Sequence, residues 1–132
     1  MTTRVEPGNL IHVSGRKRHE EPAGEFAPYV LVLLRSGSRL ADFALHAPVH
    51  ERFITDLIRR NAILLGGELG EPIGDVQAAY VLRCSVAEAR AIAAEDPYVE
   101  HEVMRATCVE WRLVGVNPDA IDAGTVIRPA DV

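Results

Sequence analysis

Tyr29-Val30-Leu31-Val32-Leu33-Leu34 is the segment that most constrains the fold: a short, continuous apolar run with aromatic and β-branched members. A run of this length and make-up reads as a buried central strand rather than a helix. A strand apolar on both sides cannot lie in a sheet with one face in water, so something must cover each face.

The segments that follow supply one cover. Pro48 predicts a helix start, because proline is best tolerated at the first helical position, and the helix is expected to run to about Asn61. At 100° per residue Val49, Phe53, Ile54, Leu57 and Ile58 share an arc, with Glu51, Arg52, Asp56, Arg59 and Arg60 mostly opposite. His50 falls within the apolar arc, in what this reading makes the first turn. Ala62 to Leu65 reads as a second strand, residues 66–75 as a long glycine-containing turn, and Val76 to Cys84 as a third strand. Ser85-Val86-Ala87-Glu88 is a capping box opening a second helix through Ala89, Ile92 and Ala93. That helix should stop before Asp96-Pro97, since proline biases its predecessor away from helical geometry. A last strand is expected over Val103 to Leu113, including Trp111.

The order β-α-β-β-α-β is the α+β, ferredoxin-like arrangement, with two helices on one face of a four-stranded antiparallel sheet. A homodimer packing sheet against sheet is the simplest cover for the other face. The 132 residues fit one domain, expected over 28–114. Residues 1–27 read as an N-terminal extension, in which Leu10 to Val13 could pair as an edge strand, and residues 115–132 read as a tail.

Net charge is −5, and Arg16-Lys17-Arg18 is followed at once by Glu20 and Glu21, which argues against nucleic acid as a partner. No apolar run suits a signal sequence or approaches the ~20 residues of a membrane span, so a cytoplasmic chain with no membrane partner is expected. Cys84 and Cys108 have no CxxC spacing and read as reduced, buried apolar thiols.

For chemistry, His50 on an apolar helix face and Asp96 before a proline are the residues of interest. Each has a plain structural role open to it: His50 as a core histidine bonded to one carbonyl, Asp96 as the N-cap of a short turn over Pro97 to His101. Ala47-Pro48-Val49-His50, then Ile63-Leu64-Leu65-Gly66-Gly67, then Asp96-Pro97-Tyr98-Val99 resemble the YCII-related (YciI-like) family over residues 29–113. The resemblance implies a dimeric α/β barrel and an active site formed by His50 and Asp96, with Asp96 serving as cap and site residue at once. It also implies an enzyme of broadly undefined substrates, one branch of the family resembling dehydrochlorinases of hydroxylated aromatics and the wider fold including lactone isomerases. The family often carries arginine where this chain has Ala47, which makes His46, or Arg35 and Arg39 in the preceding loop, the candidates to replace it in contacting substrate, and Tyr98, next after Asp-Pro, a candidate to wall the pocket or donate a hydrogen bond.

No metal or other cofactor is expected: His19-Glu20, His50-Glu51 and His101-Glu102 each lack the second histidine of a zinc helix motif. Gly66-Gly67-x-x-Gly70 opens no helix and is no phosphate cradle, and there is no Gly-x-Ser-x-Gly elbow. The expected function is acid/base chemistry, an elimination, dehydration or isomerisation of a small cyclic or aromatic molecule. His50 would move the proton and Asp96 would orient it. The competing expectation is a non-catalytic dimeric protein that binds a small ligand in the same place.

Overall fold

A computed structural model describes residues 28–120. Residues 28–111 form one compact unit. Its elements are β1 (Val30–Ser36), α1 (Phe43–Arg59), β2 (Ile63–Ile73), β3 (Val76–Leu82), α2 (Val86–Ala94), α3 (Pro97–Glu100) and β4 (Met104–Glu110). The sheet order is β2-β3-β1-β4 with every neighbouring pair antiparallel, which is the ferredoxin-like fold. Residues 112–120, grouped apart from this unit, include a 3-10 turn at Pro118–Ala120. The Leu10 to Val13 strand and the Arg16-Lys17-Arg18 tract lie outside the described residues.

Strand alternation sorts the two sheet faces. Val30, Val32 and Leu34 from β1 and Ala78, Tyr80 and Leu82 from β3 point one way and are buried, together with Leu57 of α1, Ala89 and Ala93 of α2, and Tyr98 of α3. Each such Val or Leu contributes about 1.5–3 kcal/mol when fully withdrawn from water. The other face is apolar as well, with Leu31, Leu33, Ala79, Val81 and Val109 in register across β3, β1 and β4. Val109 and Leu65 remain 47% and 52% exposed there.

Several boundaries differ from the sequence reading: β3, expected to reach Cys84, ends at Leu82, and three further differences have a clear physical cause. The first helix begins at Phe43, not Pro48, so the proline sits inside it and His50 lies near its middle rather than in its first turn. An interior proline removes one helical bond at a cost of about 3 kcal/mol. Burial of Leu57, with Ala47, Phe53 and Ile54 packed on the same core, offsets that cost. The helix closes on Asn61 in the left-handed region (φ 60°), with Ala62 N–H donating to Leu57 C=O and Asn61 N–H to Ile58 C=O, a Schellman arrangement.

The second difference is that Gly66, Gly67 and Gly70 lie within β2 rather than in a turn. Gly66 pairs with Tyr80, and a Cβ there would meet the Tyr80 Cβ at 2.6 Å, so close approach of the strands and not a bend requires this glycine. The reversal falls instead on Gly74 (φ 61°) and Asp75, where a two-residue hairpin loop needs a positive φ at its first position. Finally, β4 stops at Glu110, and Trp111 only adds one bond from its N–H to Tyr29 C=O. The capping box is formed: Ser85 Oγ accepts from Glu88 N–H, and Glu88 Oε1 accepts from Ser85 N–H.

The hairpin tip is tied to the rest of the sheet by charge. Asp75 accepts from Arg35 at 2.7 Å and from Arg105 at 2.6 Å, and Arg35 also donates to Thr107. Bonding to Arg35 holds the Asp75 carboxyl below its ordinary 3.8. A depressed folded-state pKa stabilises above the unfolded value and is lost as pH falls through the folded one. The protection of the Gly74 to Gln77 amides, measured against the intrinsic exchange rate at each pH, should therefore fall below about pH 3.8 in the wild type. In Asp75→Asn that acid limb should vanish; an identical pH profile in the two would show that the ion pairs do not hold the tip.

Candidate active site

Asp96 occupies the corner between α2 and α3. The capping box starts α2 at Val86, and nine helical residues carry the chain to Ala94. Asp96 N–H then bonds back to Ala93 C=O, and Pro97 opens α3 with a φ already suited to its first position. The carboxylate is thereby turned inward and is 0% exposed.

A charge so placed is costly unless its oxygens are filled. Three donors from three elements meet it. His50 Nδ1 of α1 lies 2.8 Å from Oδ1, the Tyr98 backbone N–H of α3 donates to the same oxygen at 2.9 Å, and the Tyr80 phenol of β3 donates to Oδ2 at 3.1 Å. An ionised carboxylate only accepts, so the hydrogen in the His50 contact belongs to Nδ1. The imidazole lone pair is then on Nε2. With 16% of its side chain exposed, His50 joins the buried carboxylate to the surface.

The imidazole is also held by stacking. The rings of His50 and Tyr98 lie 4.1 Å apart at 17°, and one helical turn earlier His46 stacks on His101 at 4.2 Å and 13°. Two stacked ring pairs thus connect α1 to α3 and to its C-cap His101. Burial first, then the charges of Glu68, Asp96 and Glu51, push the Tyr98 phenol up to about 12, so it remains a neutral donor. Burial and the neighbouring Asp96 charge push Tyr80 strongly upward as well.

The structure brings His50, Asp96 and Tyr98 together, and His46 beside them. Arg35 is elsewhere: it projects from the face of β1 opposite Tyr80 and is engaged with Asp75 and Thr107, so its guanidinium does not join this cluster. Tyr80 escaped sequence reasoning, though a signal existed: it is a phenol at the buried phase of the strand Ala78-Ala79-Tyr80-Val81-Leu82. Such a hydroxyl needs an internal partner. Among the described residues no group of three or more His, Cys, Asp or Glu side chains is arranged to hold a metal ion.

Cys84 and Cys108 are free thiols, each pushed upward chiefly by burial, which favours the protonated form over the thiolate at neutral pH. Cys84→Ser and Cys108→Ser should retain turnover within about twofold, and complete loss in a folded variant would place chemistry on a thiol.

Among solved structures the chain is similar to 5-chloro-2-hydroxyhydroquinone dehydrochlorinase (TftG) from Burkholderia phenoliruptrix AC1100, determined in complex with 2,5-dihydroxybenzoquinone. The TM-score is 0.51 at 15% identity, over 64% of this chain and 93% of that one, which is a likeness of fold. No family model matches the chain, and no curated protein matches it either. Among the described residues no helix is long and apolar enough to cross a membrane.

Proposed function

We propose that the chain is a small acid/base enzyme of the YciI-like kind, without a cofactor, in which His50 Nε2 takes or relays a proton on a small cyclic or aromatic molecule. The observation that carries this reading is the 2.8 Å contact between partly exposed His50 and fully buried Asp96. A histidine needed only for packing has no use for a carboxylate that costs so much to bury. In a general base the same contact fixes the tautomer and balances the imidazolium formed when the proton arrives. Tyr98 and His46 would wall the substrate.

Elimination suits this equipment, because it needs a base for the proton and room for a leaving group. The solved dehydrochlorinase of similar fold makes loss of HCl the first reaction to test: the proton would pass to His50 and chloride would depart. The wild-type chain should release chloride from 5-chloro-2-hydroxyhydroquinone, and 2,5-dihydroxybenzoquinone should compete. Saturable binding of that quinone with no turnover of this or related chlorinated and hydroxylated rings would favour the ligand-binding alternative.

We further propose a homodimer through the open sheet face. Leu65 and Val109 are exposed on that face beside partly exposed Leu31 and Leu33, an apolar surface that a second copy would cover. Light scattering should give twice the 14.4 kDa chain mass at micromolar concentration. A monomer mass there would end this part of the proposal, and Leu33→Glu should produce that mass if this face is the interface.

A further inference from the structure

The helix-covered face of the sheet is built from Val30, Val32, Leu34, Ala78, Leu82 and Tyr80. Only the last carries a hydroxyl. Phenylalanine would fill the same volume, so packing alone does not account for tyrosine at this position. The residue is 3% exposed and its phenol donates to Asp96 Oδ2, the oxygen that His50 does not touch. A carboxylate held at Oδ1 alone could rotate about its Cβ–Cγ bond. Held at both oxygens it has one orientation, and Oδ1 stays where His50 Nδ1–H and Tyr98 N–H converge.

A second observation concerns the same phenol. Gly66 on the neighbouring strand leaves no room for a side chain: an added Cβ would lie 2.6 Å from Tyr80 Cβ and 3.2 Å from Tyr80 Cα. Both opposing atoms belong to the base of the tyrosine, which cannot swing aside as a side-chain tip could. Glycine at 66 therefore sets where Tyr80 stands, and through it where the hydroxyl ends.

We propose that Tyr80 is a positioning residue of this site, its phenol fixing the Asp96 carboxylate in the orientation that receives His50 Nδ1–H, with Gly66 setting the depth of that phenol. This rests on the His50–Asp96 reading above and adds a third member to it, on a strand remote in sequence from both helices. The hydroxyl acts on the base through the carboxylate and touches no reactant.

The test reads the hydrogen on His50 Nδ1 directly, by proton NMR of protein labelled with 15N-histidine. The wild type should show a downfield, slowly exchanging Nδ1–H assigned to His50. In Tyr80→Phe and in Gly66→Ala its exchange with water should accelerate by roughly tenfold, about the effect of losing one hydrogen bond to a charged group. Once a substrate is in hand, kcat should fall by a similar factor with KM unchanged. Site-specific 3-fluorotyrosine at 80, a stronger donor of nearly the same size, should slow the exchange instead, and it decides the matter should Tyr80→Phe fold poorly. An unchanged Nδ1–H in all three variants overturns the role of Tyr80 and leaves the pair standing. If the wild type shows no Nδ1–H bridged to Asp96, the pair and the proposal fall together.

Discussion

His50→Ala should reduce turnover by on the order of a hundredfold or more, the usual cost of losing a general base. On the proposed reading the loss should fall on kcat, because the imidazole would act where the proton moves. His50→Gln tests the chemistry more narrowly, since it restores a donor toward Asp96 without restoring a base. It should be as inactive as the alanine variant. Wild-type rates in either would remove proton transfer from this residue.

Asp96→Ala should have the largest effect on stability. It leaves the Tyr80 phenol and the Tyr98 N–H without their acceptor inside the protein, at about 1–3 kcal/mol each, and deletes the N-cap of α3. The expected loss is about 3–5 kcal/mol, a large share of the 5–15 kcal/mol that typically separates folded from unfolded domains. Urea denaturation measures it, and a change under about 1 kcal/mol would show that the three bonds do little for the fold. Asp96→Asn should be much milder, since asparagine caps nearly as well as aspartate.

The element order is legible in the sequence because each signal is local. The run from Tyr29 to Leu34, the Ser85/Glu88 capping box and Asp96-Pro97 all lie within a few neighbours of one another, and each has a specific backbone consequence. The features that mislead depend on distant partners. Pro48 looks like a helix start, yet the helix begins at Phe43 and carries the proline inside it, with Ala47 before it and Leu57 after it on the core. Gly66 looks like a turn residue until Tyr80 is found against it. Trp111 follows the last strand's pattern, yet the ladder with β1 ends one residue earlier.

The site divides in the same way. Resemblance in sequence points to His50 and Asp96, and the chemistry of Asp before Pro explains the cap. Nothing local places Tyr80 beside Asp96, sixteen residues away in sequence. Arg35 illustrates the reverse: its charge suggests a substrate contact, but strand parity sends it to the face where Asp75 and Thr107 engage it. Alternation along β1 is enough to exclude Arg35 from the helix-covered face, and the same alternation along β3 is enough to put Tyr80 on it.

The central claim is that the negative charge of Asp96, and not merely its shape, makes His50 a base. Turnover by Asp96→Asn measures that charge alone, on the first small ring compound the wild-type chain transforms. With its side-chain oxygen at the Oδ1 position asparagine keeps the bonds from Tyr98 N–H and His50 Nδ1–H and the fold, but it carries no charge to stabilise imidazolium. The account predicts a fall on the order of a hundredfold or more, no deeper when His50→Ala is added, because residues acting as one unit are lost only once. Near-wild-type turnover in folded Asp96→Asn would contradict it and leave Asp96 as the cap of a short helix.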